Sequence, residues 1–438
     1  MITYAFFAFA IGQQGPEKLT IDEALSIAMK NSYSVRIAEN RADKARTLEK
    51  QARGAFGPTI GLQGNYSRFE GSVTGNGSTG GGTGGSTGGN QGGGSFSGET
   101  KSGTVSINQP IDISGLSHKA LDATKFNRKA AEAAVKVEEN NLKLNVRSAF
   151  YNVLLTRDLV KVQQDALTSA QARYDKAVIR EREGSIPKFD VLRFENEVRK
   201  GEQGLNNATG NYVNAKHSLN NILSRPIETD FEAEAIDDLP VPPSDPTELV
   251  IAALKSRPEV LQSDYTIEAL SRTADVQGAS LAPGLSIQAS HTRYLNPSAS
   301  QTDQSTFGGI VISVPLFDSG ITKSKVEAAR KDTDQARISF EQLLLGISLE
   351  VRNALTQAQT AKTNYDVALN SVQLAAEALR LADIRYNEGA GILIDVTQAQ
   401  ADLTAAEGNA QNAKYQYLTA YANLLKALGK DDLNLSGA

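Results

Sequence analysis

The chain has 438 residues, carries 45 Lys and Arg against 50 Asp and Glu for a net charge of −5, and contains no cysteine. That balance supplies no basic field for gripping a polyphosphate, which argues against nucleic acid as a partner. The missing thiols exclude disulfides and thiolate metal sites but leave the compartment open.

In chain order, the only sustained apolar run comes first, from Ile2 to Ile11. It is too short to cross a bilayer as a helix and has the size of a signal-peptide core, with Ala8-Phe9-Ala10 as a small-x-small cleavage pattern. Residues 1–16 are read as a signal-peptide remnant; they lack a basic leading region, and a truncated or misassigned start is the alternative. No later stretch suits a transmembrane helix, so any membrane span must be built of strands.

The rest of the chain is one unit written twice. Ala28, Lys30, Val35, Pro58, Gln63 and Arg68 recur as Ala253, Lys255, Val260, Pro283, Gln288 and Arg293 at a constant offset of 225. From Val105 onward the offset is 205: Pro110 meets Pro315, Ser114-Gly115 meets Ser319-Gly320, Val146-Arg147 meets Val351-Arg352, and Tyr212 meets Tyr417. The first copy therefore carries 20 extra residues, which fall in the Gly-rich tract from Gly71 to Gly98. That tract contains Gly75-Asn76-Gly77-Ser78-Thr79-Gly80, formally a dinucleotide fingerprint, but the motif works only between a strand and a helix, and the tract reads as a solvated loop.

The first copy (17–225) is expected to run as helix 19–55, strands 59–69 and 103–113, a long helix 116–183 and a return helix 188–224. A linker, 226–243, follows. The second copy (244–430) repeats the order, with strands 284–295 and 307–317, long helix 321–387, return helix 395–428 and a tail, 431–438. Along the strands, Ile60, Leu62 and Tyr66 alternate with Gln63, Asn65 and Ser67, the pattern of a barrel with a wet lumen and equally of any half-buried sheet. In the second long helix Ala354, Ala361, Ala368, Ala375 and Ala382 recur every seventh residue, in step with Val351, Ala358, Tyr365, Val372, Leu379 and Tyr386. A helix of that length rises roughly 100 Å and needs neighbours along all of it; a coiled-coil rod fits the periodicity as well as a tunnel does. Prolines Pro58, Pro110, Pro283 and Pro315 mark every joint between strand and helix.

The run Ser313-Val314-Pro315-Leu316-Phe317-Asp318-Ser319-Gly320, and its looser partner Gln109 to Gly115, resemble the strand-to-helix joint of the TolC-like outer-membrane efflux proteins. Arg385-Tyr386-Asn387-Glu388-Gly389 followed by Ile394-Asp395-Val396, with Glu183-Gly184 and Phe189-Asp190-Val191 as the first-copy equivalent, resemble that family's periplasmic helix reversals. The likeness covers about residues 19 to 430. It implies a mixed α and β membrane protein: a trimeric 12-stranded outer-membrane β-barrel, four strands per chain, continued by a long periplasmic α-helical barrel. It further implies a homotrimer set in outer-membrane lipid and extending into the periplasm, with a periplasmic adaptor and an inner-membrane pump as partners. Such a chain is a passive exit duct for drugs, metals or polypeptides, with no cofactor and no enzymatic activity. Gly184, Asp190, Tyr386, Gly389, Asp395 and Gln398 are its candidate gating residues. Two positions depart from the family pattern: its best-known members carry a basic residue where this chain has Gly391 and an acidic one where it has Gln398.

Other chemistry is sparse. His118, His217 and His291 lie far apart with no ligand spacing. Asp190 and Asp395 have a plain reading as first-turn acids that complement a helix dipole, alongside the gating one. The competing functional class is a structural coiled-coil scaffold with a small accessory sheet.

Overall fold

The computed structural model describes residues 17–72, 95–236, 239–243, 245–295 and 302–431. Residues 1–16, most of the Gly-rich tract and the end of the tail lie outside the described residues. The elements are β1 (Glu17–Leu19), α1 (Ile21–Asn31), α2 (Tyr33–Gly54), β2 (Thr59–Ser72), β3 (Ser95–Ile111), α3 (Leu116–Arg182) and α4 (Lys188–Ile222). The second half contributes β4 (Phe231–Ala233), α5 (Pro246–Ser256), α6 (Pro258–Ala279), β5 (Gly284–Tyr294), β6 (Gln304–Ser313), α7 (Ile321–Asn387) and α8 (Leu393–Leu428). No described helix is long and apolar enough to cross a membrane.

The residues fall into two compact units, each drawing on both copies. One holds Lys44–Arg128 and Thr266–Gln335; the other holds Lys129–Tyr265, Ala336 onward and the N-terminal helix.

The first of these contains a four-stranded antiparallel sheet in the order β2-β3-β5-β6. Its register repeats with the sequence: Thr59 faces Asn108 in the first hairpin, and Gly284 faces Ser313 in the second, at the same offsets of 225 and 205. Paired residues share a face, because side chains alternate with period two. One face collects Ile60 with Ile107 and Ala289, Leu62 with Val105, and Ile111 with Leu285 and Ile312. The other collects Gln63, Thr104 and Thr292, whose hydroxyls bond across β3 and β5 at 2.9 Å, and Asn108 with Gln288. Ile60 and Leu62 are 73% and 80% exposed, so no described residue covers this apolar face at β2.

In the other unit, Leu142, Val146, Phe150 and Val153 of α3 pack with Leu219 of α4, Leu223 at its C-terminal cap, and Ala24 and Ala28 of α1. A second core holds their counterparts: Ile347, Val351, Leu355 and Ala358 of α7, Leu424 and Leu428 of α8, and Leu249 and Ala253 of α5. The duplication is thus a duplication of packing as well as of sequence.

Several boundaries differ from expectation. Helix 19–55 is broken: Leu19 lies in β1, which pairs in parallel with β4, and the helix stops at Ser32, whose ψ of 129° is extended. The second copy breaks at the equivalent Arg257, ψ 126°, where Pro258 disfavours helical backbone in the residue before it. Ser32 has no proline after it; its hydroxyl oxygen accepts from the Val35 amide at 3.5 Å. The linker 226–243 contains strand β4, and Asn220 anchors it by donating to the carbonyls of Ile227 and Thr229 at 2.7 and 2.9 Å. Strand 307–317 is in fact 304–313, because Pro315 brings no N–H to a ladder. Strands 59–69, 103–113 and 284–295 are 59–72, 95–111 and 284–294. The long helix 116–183 ends at 182, and the return helices 188–224 and 395–428 are 188–222 and 393–428.

Candidate functional site

The two helix reversals share one backbone device. Gly184 and Gly389 take φ of 73° and 74°, the left-handed conformation that costs glycine nothing. After α3, the Ser185 amide donates to the Arg180 carbonyl at 2.8 Å and Gly184 to Glu181 at 2.9 Å. After α7, Ala390 donates to Arg385 at 2.8 Å and Gly389 to Tyr386 at 3.2 Å. Each pair of bonds satisfies carbonyls that a helix end leaves open.

The return helices start without help from a capping side chain: their N-cap residues, Pro187 and Ile392, make no such bond. Asp190 and Asp395 lie in the first turns of α4 and α8, where a negative charge opposes the positive end of the helix dipole. Asp395 is exposed and Asp190 half-buried.

Between the two hairpins sits a small apolar cluster of Ala177, Phe194 and Leu393, with Tyr174, Val191 and Tyr386 against it. The Tyr386 ring meets Phe194 edge-on at 6.3 Å, and the Arg180 guanidinium lies 5.3 Å from its centre. Its hydroxyl is buried and finds no hydrogen-bond partner among the described residues. Burial first, and then the charge of Asp190, raise the Tyr386 hydroxyl above its ordinary range, against a smaller opposing effect of Arg180. Asp190 and Tyr386 are therefore electrostatic neighbours without a bond between them.

Gln398 faces outward from α8 and donates to Asp402 at 2.8 Å, one turn along the same helix. Gly391 has a steric reason: a Cβ there would lie 3.0 Å from the Arg385 Cβ and 3.1 Å from the Tyr386 amide nitrogen. A side chain at 391 would require these neighbours to give by a few tenths of an ångström.

Pro58 and Pro283 immediately precede β2 and β5, Pro110 is the second-last residue of β3, and Pro315 lies just beyond β6. An aspartate caps each long helix, one residue out of register between copies. Asp112 accepts from the His118 amide at 3.0 Å and contacts its ring nitrogen Nδ1 at 2.6 Å, while Asp318 accepts from Gly320 and Thr322 at 3.0 and 2.7 Å.

Arg173 escaped the sequence reading. From α3 it donates to Gln400 of α8 at 2.6 Å and reaches Asp383 of α7 at 3.5 Å, tying three helices together. It lines both grooves between the hairpins, of about 440 and 490 Å³, together with Phe194 and Val396. The signal available was a break in the repeat: the equivalent position is Ala378.

Comparison with known proteins agrees along the whole fold. The family model described as outer membrane efflux protein matches residues 24–225 and 249–430. Nodulation protein T of Rhizobium leguminosarum bv. viciae is 23% identical over 337 residues, 74% of this chain and 68% of that protein. Outer membrane protein TolC of Escherichia coli is 22% identical over 419 residues, covering 90% and 79%. The crystal structure of the Campylobacter jejuni CmeC outer membrane channel superposes with a TM-score of 0.76 at 18% identity, covering 93% of this chain and 85% of that one.

Proposed function

The chain belongs to the outer membrane efflux protein family, and we propose that three copies of it close one twelve-stranded barrel that discharges substrates handed over by an inner-membrane pump through a periplasmic adaptor. The protein is an outer-membrane efflux channel reaching into the periplasm; it is a conduit and not an enzyme.

The observation that carries the trimer is the sheet. Its two edges, β2 and β6, each leave a row of unpaired backbone groups, and lipid does not tolerate an open edge. Because β2, β3, β5 and β6 alternate in direction, β6 of one copy can lie antiparallel to β2 of the next, so repetition of one contact continues the same ladder around a ring. Four strands are too few for a barrel, and barrels begin at about eight. The outward apolar face then meets lipid and the polar face lines the lumen. Pro58, Pro110, Pro283 and Pro315 are the joints where strand gives way to helix, and Gly184, Asp190, Tyr386, Gly389, Asp395 and Gln398 form the gating region. Drugs, metals or polypeptides are the classes of cargo in this reading.

Purified in mild detergent, the protein should run as a trimer that falls to monomer only when the barrel unfolds. A monodisperse monomer with native helix content overturns the reading.

A further inference from the structure

The unit that contains the sheet also holds a basic pocket that the channel reading does not use. Its volume is about 350 Å³, and its lining is Arg46, Glu49, Lys50 and Arg53 of α2 with Arg128 of α3. Four cations surround one carboxylate. Glu49 is buried and uses both oxygens to fix two of them, taking Arg53 at 2.6 Å and Arg128 at 2.7 Å. Those guanidiniums are thereby held in place before any ligand arrives, and a preset planar fork is the geometry that grips a phosphate.

The duplication supplies an internal control. At the established offsets the second copy has Ser271, Ala274, Asp275, Gly278 and Thr333 in place of Arg46, Glu49, Lys50, Arg53 and Arg128. Ala274 and Thr333 are buried, so the equivalent helix pair packs with small residues and no basic cluster. The fold does not require these charges.

Their position names the ligand. Arg53 is in the last turn of α2, and the exposed apolar residues Ile60 and Leu62 follow seven and nine positions later. Seven residues span at most ~25 Å even when fully extended, and here the path begins in a helix. On the barrel reading the pocket thus lies within that distance of the hydrocarbon band, within reach of the level at which long basic side chains meet lipid phosphates. We propose that this pocket binds the headgroup phosphate of an anionic phospholipid in the periplasmic leaflet of the outer membrane.

The inference rests on the barrel reading, and its test separates the two. The full-length assembly is purified into micelles holding equal amounts of phosphatidylglycerol and phosphatidylethanolamine, and retained lipid is counted by native mass spectrometry. Recovery of the protein from the outer-membrane fraction reports the barrel independently. The wild type should retain phosphatidylglycerol about tenfold over phosphatidylethanolamine, and Arg46→Ser/Lys50→Ser, which leaves the Arg53 and Arg128 guanidiniums in place, should lower that ratio severalfold. Both positions are exposed, so the fold should survive; the milder Lys50→Gln should give an intermediate ratio. Equal retention by the wild type overturns the proposal, as does a preference unchanged in the double variant. Displacement of the lipid by millimolar inorganic phosphate overturns it in favour of a free-phosphate site.

Discussion

Ser224 follows α4 at φ 53°, and its equivalent Gly429 follows α8 at φ 65°. Both complete the same pair of terminal bonds: Arg225 donates to Asn220 at 3.1 Å, and Lys430 to Leu425 at 3.2 Å. A left-handed serine is strained by roughly 1–2 kcal/mol, so Ser224→Gly should stabilise the protein by about 1 kcal/mol in denaturant unfolding. The reverse change is doubly unfavourable, since Gly429 is left-handed and a Cβ there would crowd the Arg257 backbone at 3.2 Å. Arg257 itself is 4% exposed and donates to Glu259 at 2.9 Å and Glu350 at 2.5 Å, with Lys426 adding a bond to Glu350 at 3.0 Å. Burial would raise both carboxyls, but the bonds outweigh it and hold them below their ordinary value of 4.5. Their contribution is present above that value and is lost as pH falls through the lower folded one. Melting temperature should therefore drop on acidification below about pH 5, and drop less steeply in Arg257→Gln, whose carboxyls titrate nearer their ordinary range. At the reversals, Asp190→Asn and Asp395→Asn should alter single-channel conductance in planar bilayers with little change in melting, since first-turn charge contributes only ~0.3–1 kcal/mol. Unchanged conductance in both leaves the dipole role alone.

Among the elements, legibility followed length. In α7, of 67 residues, a seven-residue repeat runs from Val351 to Tyr386, and the expected range of 321–387 matches the structure. The joints were legible because proline and left-handed glycine act locally, through a missing donor and a permitted φ. Elements held by distant partners were not. β1 and β4 are three residues each, too short for alternation to register, and they exist because they pair with each other. The break at Ser32 depends on a hydroxyl bond that no spacing rule announces, whereas its counterpart is flagged by Pro258. Arg173 was hidden because its partners lie more than 200 residues away. Between β2 and β3 the chain is 20 residues longer than the second copy needs to make the equivalent turn. Deleting those 20 residues should leave trimer yield unchanged, because shortening the loop by that much alters closure by only about 1 kcal/mol; loss of trimers would refute this.

At the scale of the whole molecule, the shared register has a consequence for symmetry. Two hairpins in one chain have the same backbone pairing but different side chains. In the proposed trimer, three chains closed in a ring would place six such hairpins around its circumference, a six-fold backbone carrying three-fold chemistry. A partner that reads backbone spacing meets six near-equivalent seats. One that reads side chains meets two alternating kinds: Arg173 against Ala378 between the long helices, and Arg46 and Arg128 against Ser271 and Thr333 below the sheet. In that proposed trimer, the duplication would thus present either three or six equivalent seats to a partner, depending on whether side chains or backbone are read.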